Sequence, residues 1–323
     1  MKRILFILLA CSAAFPALAQ DVTLRHDLEG KALDTLATLA LRFNDEQKGK
    51  GRVILQDMRG MENKQVLPQF ALLATDDSME FFGTRPRFRP LHEVMRETGQ
   101  KFDARQFYPQ VAYAVDDASG RIQALPVALA LPVLFINRAV LRKAGLDPDP
   151  LVKAWLDLQK LAGEIYDHGS KCPLTTTRFA WIHSENVSSQ AGEATVAKVG
   201  RIDQVQINGM VNVKHLALLA SWQKSRYFHY SGPGREGNRR FLSGECAMLT
   251  GESSLYADAR RAGLDFGIAA LPAYDDVYAA KPADVLPDGA SLWVLAGHKK
   301  DEYKLVARFM SFLLRPEVQT EWV

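Results

Sequence analysis

The sequence predicts an α/β protein built from two lobes. Three observations predict this class: strands alternate with amphipathic helices, the 323 residues exceed one ordinary hydrophobic core, and two prolines interrupt an apolar segment at 123–137. Because proline cannot donate a hydrogen bond within a central strand, this segment is interpreted as two extended pieces with a change of direction between them. Such a segment suits a crossing from one lobe to the other.

The first lobe is predicted to alternate strand and helix from its start. Residues 21–25 form a short opening strand, and apolar residues at helical spacing follow at 28–43. A second strand is expected at 52–56, an amphipathic helix at 64–74 and a short apolar strand at 78–82. This order predicts an open, largely parallel sheet with helices on both faces.

The second lobe repeats this alternation. Its predicted elements are short helix 139–144 before the glycine stop Gly145, helices 154–166 and 212–224, strand 246–250 leading to a helix start at 251–254, and strand 266–271. A loop at 273–289 is expected to hold or adjoin the second crossing, after which strand 291–296 and helix 302–314 follow. We therefore expect 20–127 in the first lobe, 128–270 in the second, and 271–323 as the crossing and return.

Residues 1–19 have the three parts of a secretory signal peptide. Basic residues precede an apolar run at 4–10, and small residues at 17–19 supply a cleavage site. The apolar run is shorter than the ~20 residues that span a bilayer. We predict export and cleavage near Ala19, with lipid attachment at Cys11 as the alternative.

Composition and charge exclude several classes of protein. The hydrophobic content of 47% and the formal net charge of +3 at pH 7 are typical of a soluble globular protein. Lysine and arginine form no stripe interleaved with aromatic residues, so nucleic acid is not predicted as a partner.

Two cysteines, Cys172 and Cys246, remain after signal cleavage. Export places them in an oxidising compartment, where we predict a disulfide between them; two buried free thiols are the alternative. Neither has a cysteine or histidine partner at metal-ligand spacing, so no metal site is predicted.

The sequence offers no catalytic signature. It contains no Gly-x-Ser-x-Gly elbow and no HExxH motif, and the cysteines lack a flanking catalytic motif. The histidines are scattered, and each is interpreted as a surface or hydrogen-bonded residue rather than a ligand. A protein without catalytic residues or cofactor is therefore predicted, with a secreted hydrolase as the less favoured alternative.

Several segments, in the same order and at similar spacing, carry a resemblance to a known family. They are 26–30, 41–44, 106–109, 132–137, 143–148, 181–182 with 185–186, 213–215, 244–248 and 289–294. On these segments the chain resembles family 1 of the extracellular solute-binding proteins of ABC importers. Within that family it is most similar to members that bind sn-glycerol 3-phosphate.

The resemblance implies a fold and a function. The fold is that of class II periplasmic binding proteins, in which two α/β lobes joined by hinge crossings close on a ligand. The function is delivery of a small polar solute, such as a phosphorylated polyol or glycerophosphodiester, from the periplasm to inner-membrane ABC permease subunits. A sugar- or oligosaccharide-binding role in the same family is one alternative, and a truncated relic without ligand binding is another.

The resemblance and local chemistry together indicate five ligand-binding candidates. Gly289 matches a family glycine that presents its backbone N–H, and Glu62 lies near an aromatic contact of the relatives. Ser253 and Ser254 fall at an expected helix N-terminus, where N–H groups favour an anion or hydroxyl, although for either serine alone ordinary N-capping is the favoured interpretation. Trp181 is expected to form an aromatic floor.

Two departures from the family bear on the ligand. A serine of the relatives falls at Gly251 or Glu252, and a carboxylate at Glu252 would repel a phosphate by ~4 kcal/mol at 4 Å. The family sequences also continue beyond Val323, where a tyrosine and an arginine contact the phosphate. The second lobe is therefore expected to be incomplete, with the strongest anion ligand missing.

Overall fold

The computed structural model describes residues 20–28, 30–58, 67–74, 78, 87–113, 115–117, 119–200, 202–274 and 284–322. These residues fall into two compact units. Unit 1 lies within 1–106, 115–125 and 291–323, and unit 2 lies within 107–114 and 126–290. The predicted signal peptide, Glu62 and nearly all of the predicted strand at 78–82 lie outside the described residues.

The elements below are given in chain order. They are β1 (Val22–His26), α1 (Gly30–Glu46), β2 (Val53–Asp57), β3 (Phe70–Ala74), β4 (Phe88–Arg89), α2 (Leu91–Thr98), a 3-10 turn (Ala104–Gln106), α3 (Pro109–Tyr113), β5 (Leu125–Ala130), β6 (Pro132–Asn137), α4 (Arg138–Lys143), α5 (Trp155–Asp167), β7 (Leu174–Thr176), a π-helical turn (Trp181–Glu185), α6 (Asn186–Gln190), β8 (Val196–Val199), β9 (Ile202–Val205), α7 (Met210–Lys224), β10 (Phe228–His229), α8 (Glu236–Leu242), β11 (Met248–Glu252), a 3-10 turn (Ser253–Leu255), α9 (Tyr256–Arg261), β12 (Phe266–Ala270), β13 (Asp288–Leu295), α10 (Lys300–Leu313) and α11 (Pro316–Trp322).

The sheet of unit 1 has the order β2-β1-β3-β13-β4, with β5 also paired to β13. Strands β1, β2 and β3 are parallel, whereas β4 is antiparallel to β13. Alternate residues of β1, namely Val22, Leu24 and His26, are buried, as the period of a strand requires. The parallel core of the sheet agrees with the sequence prediction.

Aromatic residues join the helices of unit 1 to its sheet. Phe43 on α1 lies 5.0 Å from Phe309 and 5.5 Å from Phe312, both on α10, measured between ring centroids. Phe309 in turn lies 5.8 Å from Phe70 on β3. Apolar residues at helical spacing on α1 and α10 therefore pack together and against the sheet, as the sequence predicted.

The predicted helix at 64–74 is wrong in its second half, because residues 70–74 form strand β3. Phe70, Ala71, Leu72 and Leu73 are all buried. A short apolar run of this kind is compatible with either a buried strand or a buried helix turn, so periodicity alone cannot separate the two.

The sheet of unit 2 has the order β10-β7-β11-β6-β12. Strands β10, β7 and β11 are parallel, and β6 and β12 are antiparallel to their neighbours. Helix α5 buries Trp155, Leu158 and Ile165 against this sheet together with Trp222 of α7. The hairpin of β8 and β9 forms a separate ladder.

The chain passes between the two units more than once. Strand β5 runs from unit 1 into unit 2, and unit 1 resumes at Ser291. Described residues shortly before that return bond within unit 2. The Tyr274 hydroxyl hydrogen-bonds His215, and the Leu286 N–H donates to the Asn186 side chain over 2.7 Å.

Among the residues that the structure describes, every helix is too short or too polar to cross a membrane.

Candidate functional site

The candidate site lies at the carboxyl ends of two parallel strands in unit 2. Strands β7 and β11 pair in parallel, with Thr176 opposite Thr250 near their ends. Arg178 follows β7 after a single intervening residue, and Glu252 is the last residue of β11. Because ligands of α/β proteins bind outside the carboxyl ends of parallel strands, side chains gathered here are candidates for solute contact.

Four charged side chains meet at this edge, and we call Arg178, Arg235, Glu252 and Asp288 the Arg178 cluster. The Arg178 guanidinium lies 3.4 Å from the Glu252 carboxylate and pairs with the Asp288 carboxylate. The Arg235 Nε donates to Glu252 Oε1 over 2.6 Å. Each carboxylate of the cluster therefore contacts a guanidinium group, as buried charges require.

Burial in the cluster is uneven. Arg178 exposes 7% of its surface, and Glu252 and Asp288 each expose 4%. The Arg235 side chain, in contrast, is 47% exposed. The cluster therefore reaches solvent through Arg235.

Backbone and ring contacts fix Arg178 in place. Its φ of 45° lies in the left-handed region, which a residue with a Cβ adopts at a cost of roughly 1–2 kcal/mol. The Arg178 N–H donates to the Gly234 carbonyl over 2.6 Å, and the guanidinium lies 4.8 Å from the centroid of the Trp181 ring. Backbone strain of this type is held by its surroundings and concentrates at functional sites.

The Thr177 hydroxyl lies beside the cluster with its hydrogen-bonding capacity unused. Thr177 is fully buried, and its Oγ1 has no hydrogen-bond partner in the described part of the chain. This oxygen borders Gly251, where an added Cβ would stand 3.2 Å from it. A buried hydroxyl without a partner costs the folded state about 1–3 kcal/mol.

Ser253 and Ser254 adjoin the cluster in different ways. The Ser253 N–H donates to the Leu131 carbonyl over 2.8 Å, and the Leu131 N–H donates to Ser253 Oγ over 3.0 Å. This reciprocal pair ties the end of β11 to the turn between β5 and β6. Ser254 is exposed on the 3-10 turn, and the helix that follows, α9, is a short one.

Gly289 lies at the start of β13, next to Asp288. A Cβ at this position would stand 1.9 Å from the Ala128 carbonyl oxygen, so only glycine fits. The Gly289 N–H donates to Asp288 Oδ1 over 2.6 Å. In this structure the N–H that was expected to face a ligand therefore orients the carboxylate that pairs with Arg178.

Trp181 lies beneath the cluster rather than on its surface. The side chain is buried in the core of unit 2, and the Arg178 guanidinium covers its ring. Trp181 therefore contributes to the site by supporting the Arg178 side chain. Glu62, the remaining candidate, lies outside the described residues.

Sequence reasoning did not assign Arg178, Arg235 or Asp288 to the site. It also treated Glu252 as an uncompensated carboxylate, whereas the structure pairs it with two guanidinium groups. The sequence contains only weak indications of these residues. Asp288 directly precedes Gly289, the glycine that matches the family, and Arg178 lies three residues before Trp181.

A second set of polar side chains is hydrogen-bonded to residues of the same two strands. We call Thr176, His183, His215, Thr250 and Tyr274 the histidine network. His183 Nε2 lies 3.0 Å from Thr176 Oγ1 and 3.1 Å from Thr250 Oγ1. His183 Nδ1 lies 2.9 Å from His215 Nε2, and His215 Nδ1 lies 2.8 Å from the Tyr274 hydroxyl. The two imidazoles therefore form a continuous hydrogen-bonded chain.

Both imidazoles are neutral in this setting. Burial lowers the pKa of His215 to about 3, and burial together with the neighbouring His215 lowers the pKa of His183 well below its ordinary value. Within the described ranges, no group of three or more His, Cys, Asp or Glu side chains is arranged to hold a metal ion.

A disulfide joins the same two strands at their other ends. Cys172 and Cys246, which precede β7 and β11, are bonded to each other, and both are buried. The Ala247 N–H also donates to the Cys172 carbonyl over 2.9 Å. Covalent linkage at the amino ends thus fixes the register of the strands that carry the candidate site.

Comparisons with known proteins identify related sequences and folds. Residues 54–323 match the family described as bacterial extracellular solute-binding protein. The sn-glycerol-3-phosphate-binding periplasmic proteins of Salmonella typhimurium and Escherichia coli K12 are each 32% identical to the chain over 333 aligned positions, covering 97% of this chain and 75% of the relative.

Two solved structures share the fold at lower identity. The GacH receptor of Streptomyces glaucescens has a TM-score of 0.72 at 18% identity, covering 94% of this chain and 78% of the receptor. The cyclic alpha-maltosyl-1,6-maltose binding protein of Arthrobacter globiformis has a TM-score of 0.65 at 18% identity, covering 94% and 77%. These likenesses establish the periplasmic-binding-protein fold.

Proposed function

Because the chain belongs to the bacterial extracellular solute-binding protein family, we propose that it is the solute-binding component of an ABC importer. In this role it captures a small polar solute in the periplasm and delivers it to permease subunits in the inner membrane. The observation that carries the proposal is 32% identity, over nearly the whole chain, to proteins named as periplasmic binding proteins.

The solute class follows from the relatives and from the chemistry of the site. The relatives' names make sn-glycerol 3-phosphate the first candidate, and glycerophosphodiesters join it as solutes of the type that the sequence resemblance implies. The Arg178 cluster offers guanidinium donors and carboxylate acceptors, which suit a ligand rich in hydroxyl groups, so neutral polyols and oligosaccharides are the second candidates. Binding is proposed to proceed by hinge closure, without breaking any bond of the solute.

A thermal-shift panel tests the proposal. The mature protein is heated with sn-glycerol 3-phosphate, glycerophosphocholine, glycerol, maltose and maltotriose, and the recovered solute is examined by proton NMR. A bound solute at a hundredfold excess over its Kd stabilises the folded state by ~2.7 kcal/mol. We expect at least one solute to raise the midpoint and to be recovered unchanged. No shift across the panel, or conversion of the solute, would contradict the proposal.

A further inference from the structure

We propose that the outer edge of strand β12 in unit 2 binds an extended acidic peptide segment of another protein, which joins the sheet as a further strand. This edge is separated by β6 from β11, the strand that ends in Glu252, so the inference goes beyond the binding of a solute. Three observations support it: the place of β12 in the sheet, a cavity beside it, and an exposed arginine without an ion-pair partner in the described residues.

Strand β12 is last in the order of its sheet, and among the described residues it pairs on one side only, with β6. Across this ladder the Arg138 N–H donates to the Asp265 carbonyl over 2.9 Å. Because the bonds of an antiparallel ladder alternate, residues 265, 267 and 269 direct their backbone groups towards β6, and residues 266, 268 and 270 direct theirs away from it. The outward groups of Ile268 and Ala270 are therefore placed to pair with an added strand.

The accessible part of this edge begins at Ile268. The outward carbonyl of Phe266 already accepts a hydrogen bond from Arg138 Nη1 over 2.7 Å. Ile268, in contrast, is 45% exposed, and Ala270 is also exposed. The strand contains neither a charged residue nor a proline, the residues that commonly prevent a sheet edge from pairing with another chain.

A cavity of about 500 Å³ lies beside the β12 edge. Its lining includes Tyr256 and Arg260 of α9 and Phe266 and Ile268 of β12. The Tyr256 side chain is 51% exposed, and its ring centroid lies 5.6 Å from that of Phe266. When a peptide adds to a sheet edge, backbone hydrogen bonds supply affinity and pockets for its side chains supply specificity, so this cavity is suited to one side chain of the added segment.

The unpaired charge at this cavity is positive. Arg260 is exposed, and its guanidinium forms no ion pair within the part of the chain that the structure describes. Asp265, which also lines the cavity, is paired with Arg142. Asp258 on α9 is paired with Arg261. A carboxylate on the added segment therefore complements Arg260, whereas a second copy of this chain would bring the same unpaired guanidinium to the edge.

Fluorescence anisotropy with labelled pentapeptides tests the proposal on the mature protein. The first probe, acetyl-Thr-Val-Glu-Val-Thr-amide, combines strand-forming residues with one carboxylate. A second probe has glutamine in place of the glutamate, and a third is N-methylated at every peptide bond and cannot donate backbone hydrogen bonds. The glutamate probe is expected to bind, the glutamine probe about fivefold more weakly, and the N-methylated probe at least about tenfold more weakly. Added salt should weaken the glutamate probe more than the glutamine probe.

Substitutions in the protein locate the binding. Arg260→Gln removes the unpaired guanidinium and is expected to weaken the glutamate probe about fivefold. Arg261→Gln is the matched control, because it removes the neighbouring cation, which is paired with Asp258, and changes the net charge equally. Ala270→Pro removes an outward N–H and no bond to β6, so it is expected to weaken the glutamate probe at least about tenfold. If circular dichroism shows that Ala270→Pro does not fold, the N-methylated probe on the unmodified protein decides the role of the backbone.

Several results would overturn the proposal. They are a Kd weaker than about 1 mM for the glutamate probe, equal binding of the N-methylated probe, and equal losses in Arg260→Gln and Arg261→Gln, which would reduce the effect to net charge. Binding of N-acetylglutamate amide as tightly as the pentapeptide would instead make the cavity a site for small carboxylates. Self-association of the protein that Ala270→Pro abolishes would make the edge a contact between copies. Each of these results leaves the capture of a solute, which the thermal-shift panel tests, unaffected.

Discussion

The Arg178 cluster and the histidine network depend on the same two strands of unit 2 and differ in charge. The cluster places four charged side chains beyond the carboxyl ends of β7 and β11. The network begins at Thr176 and Thr250, on those strands, and contains only neutral groups at neutral pH. One set reaches solvent through Arg235, and the other is enclosed among aromatic side chains.

The hydrogen bonds of the network run in one direction. The Thr250 hydroxyl donates to Thr176 Oγ1, and the Thr176 hydroxyl donates to the Thr250 carbonyl. With both hydroxyl protons in use, we infer that His183 Nε2 carries a proton and donates to the threonines, that His215 Nε2 donates to His183 Nδ1, and that the Tyr274 hydroxyl donates to His215 Nδ1.

The difference indicates that unit 2 uses one set of residues to stabilise its strands and another to form the candidate site. In the network each imidazole nitrogen has a partner, so the network stabilises one arrangement of the strands. The cluster has a left-handed residue and an adjacent hydroxyl without a partner in the described residues, and such departures from local preference are expected where a ligand completes the structure.

Removal of the central guanidinium is expected to have the largest effect. Arg178→Met leaves Glu252 and Asp288 buried with too little positive charge, so the free energy of unfolding should fall by about 3–5 kcal/mol. Urea denaturation measures the loss. Arg105→Met serves as the control, since that 91% exposed side chain pairs with Asp103 at the surface and should cost less than about 1 kcal/mol. Similar losses in both variants would show that the buried cluster is no more important than a surface pair.

Removal of the disulfide at the amino ends of β7 and β11 is expected to have the second largest effect on stability. A bond that closes a loop across a sequence separation of 74 residues stabilises the folded state by about 4 kcal/mol in the chain-entropy treatment. The double variant Cys172→Ala with Cys246→Ala should lower the free energy of unfolding by about that amount under oxidising conditions. Under a reducing agent the free energy of unfolding of the unmodified protein should approach that of the variant. An unfolding midpoint that does not change on reduction would contradict a stabilising disulfide.

Acid should weaken the network in a predictable window. An unfolded histidine takes up a proton below pH 6.5, whereas His215 stays neutral down to a pKa of about 3, so unfolding binds a proton and becomes more favourable as pH falls. The free energy of unfolding should therefore drop by about 2 kcal/mol per buried histidine between pH 7 and pH 5.

Two histidine variants test whether the histidine network causes this pH dependence. His215→Asn should lose less free energy of unfolding between pH 7 and pH 5 than the unmodified protein does. His168→Asn removes an exposed histidine outside the network and serves as the matched control. Identical pH dependence in both variants would show that the network does not carry the effect.

Loss of the Tyr274 hydroxyl is expected to have the smallest effect. Tyr274→Phe removes the donor to His215 Nδ1 and leaves that buried nitrogen without its partner, at a cost of about 1–2 kcal/mol. Tyr256→Phe removes a hydroxyl from a side chain that is 51% exposed and should be neutral. If both substitutions are neutral in urea denaturation, the hydrogen bond between Tyr274 and His215 does not stabilise the network as expected.

Much of the fold was predictable because it follows from local periodicity. The spacing of Leu36, Leu39 and Phe43 marks helix α1. The apolar segment at 123–137 forms two strands as expected, with Pro126 near the start of β5 and Pro132 as the first residue of β6. The prediction at 64–74 failed because β3 is buried along most of its length, which removes the alternation that identifies a strand.

The candidate site was less predictable because its partners are distant in sequence. Arg178 meets carboxylates at 252 and 288, and no local pattern reports pairing over such separations. The left-handed backbone of Arg178 was also hidden, since the sequence gives no glycine there to indicate it. Gly289 was found, but its steric reason, the approach of the Ala128 carbonyl, needed the structure.

Hydrogen exchange with mass spectrometry tests most directly whether the Arg178 cluster is the solute site. Exchange is compared with and without a saturating amount of the panel solute that stabilises the protein most. The account predicts slower exchange in peptides covering 174–181 and 248–254, with no change in the hairpin at 196–205. Unchanged exchange at 174–181 and 248–254, with protection appearing elsewhere, would contradict it.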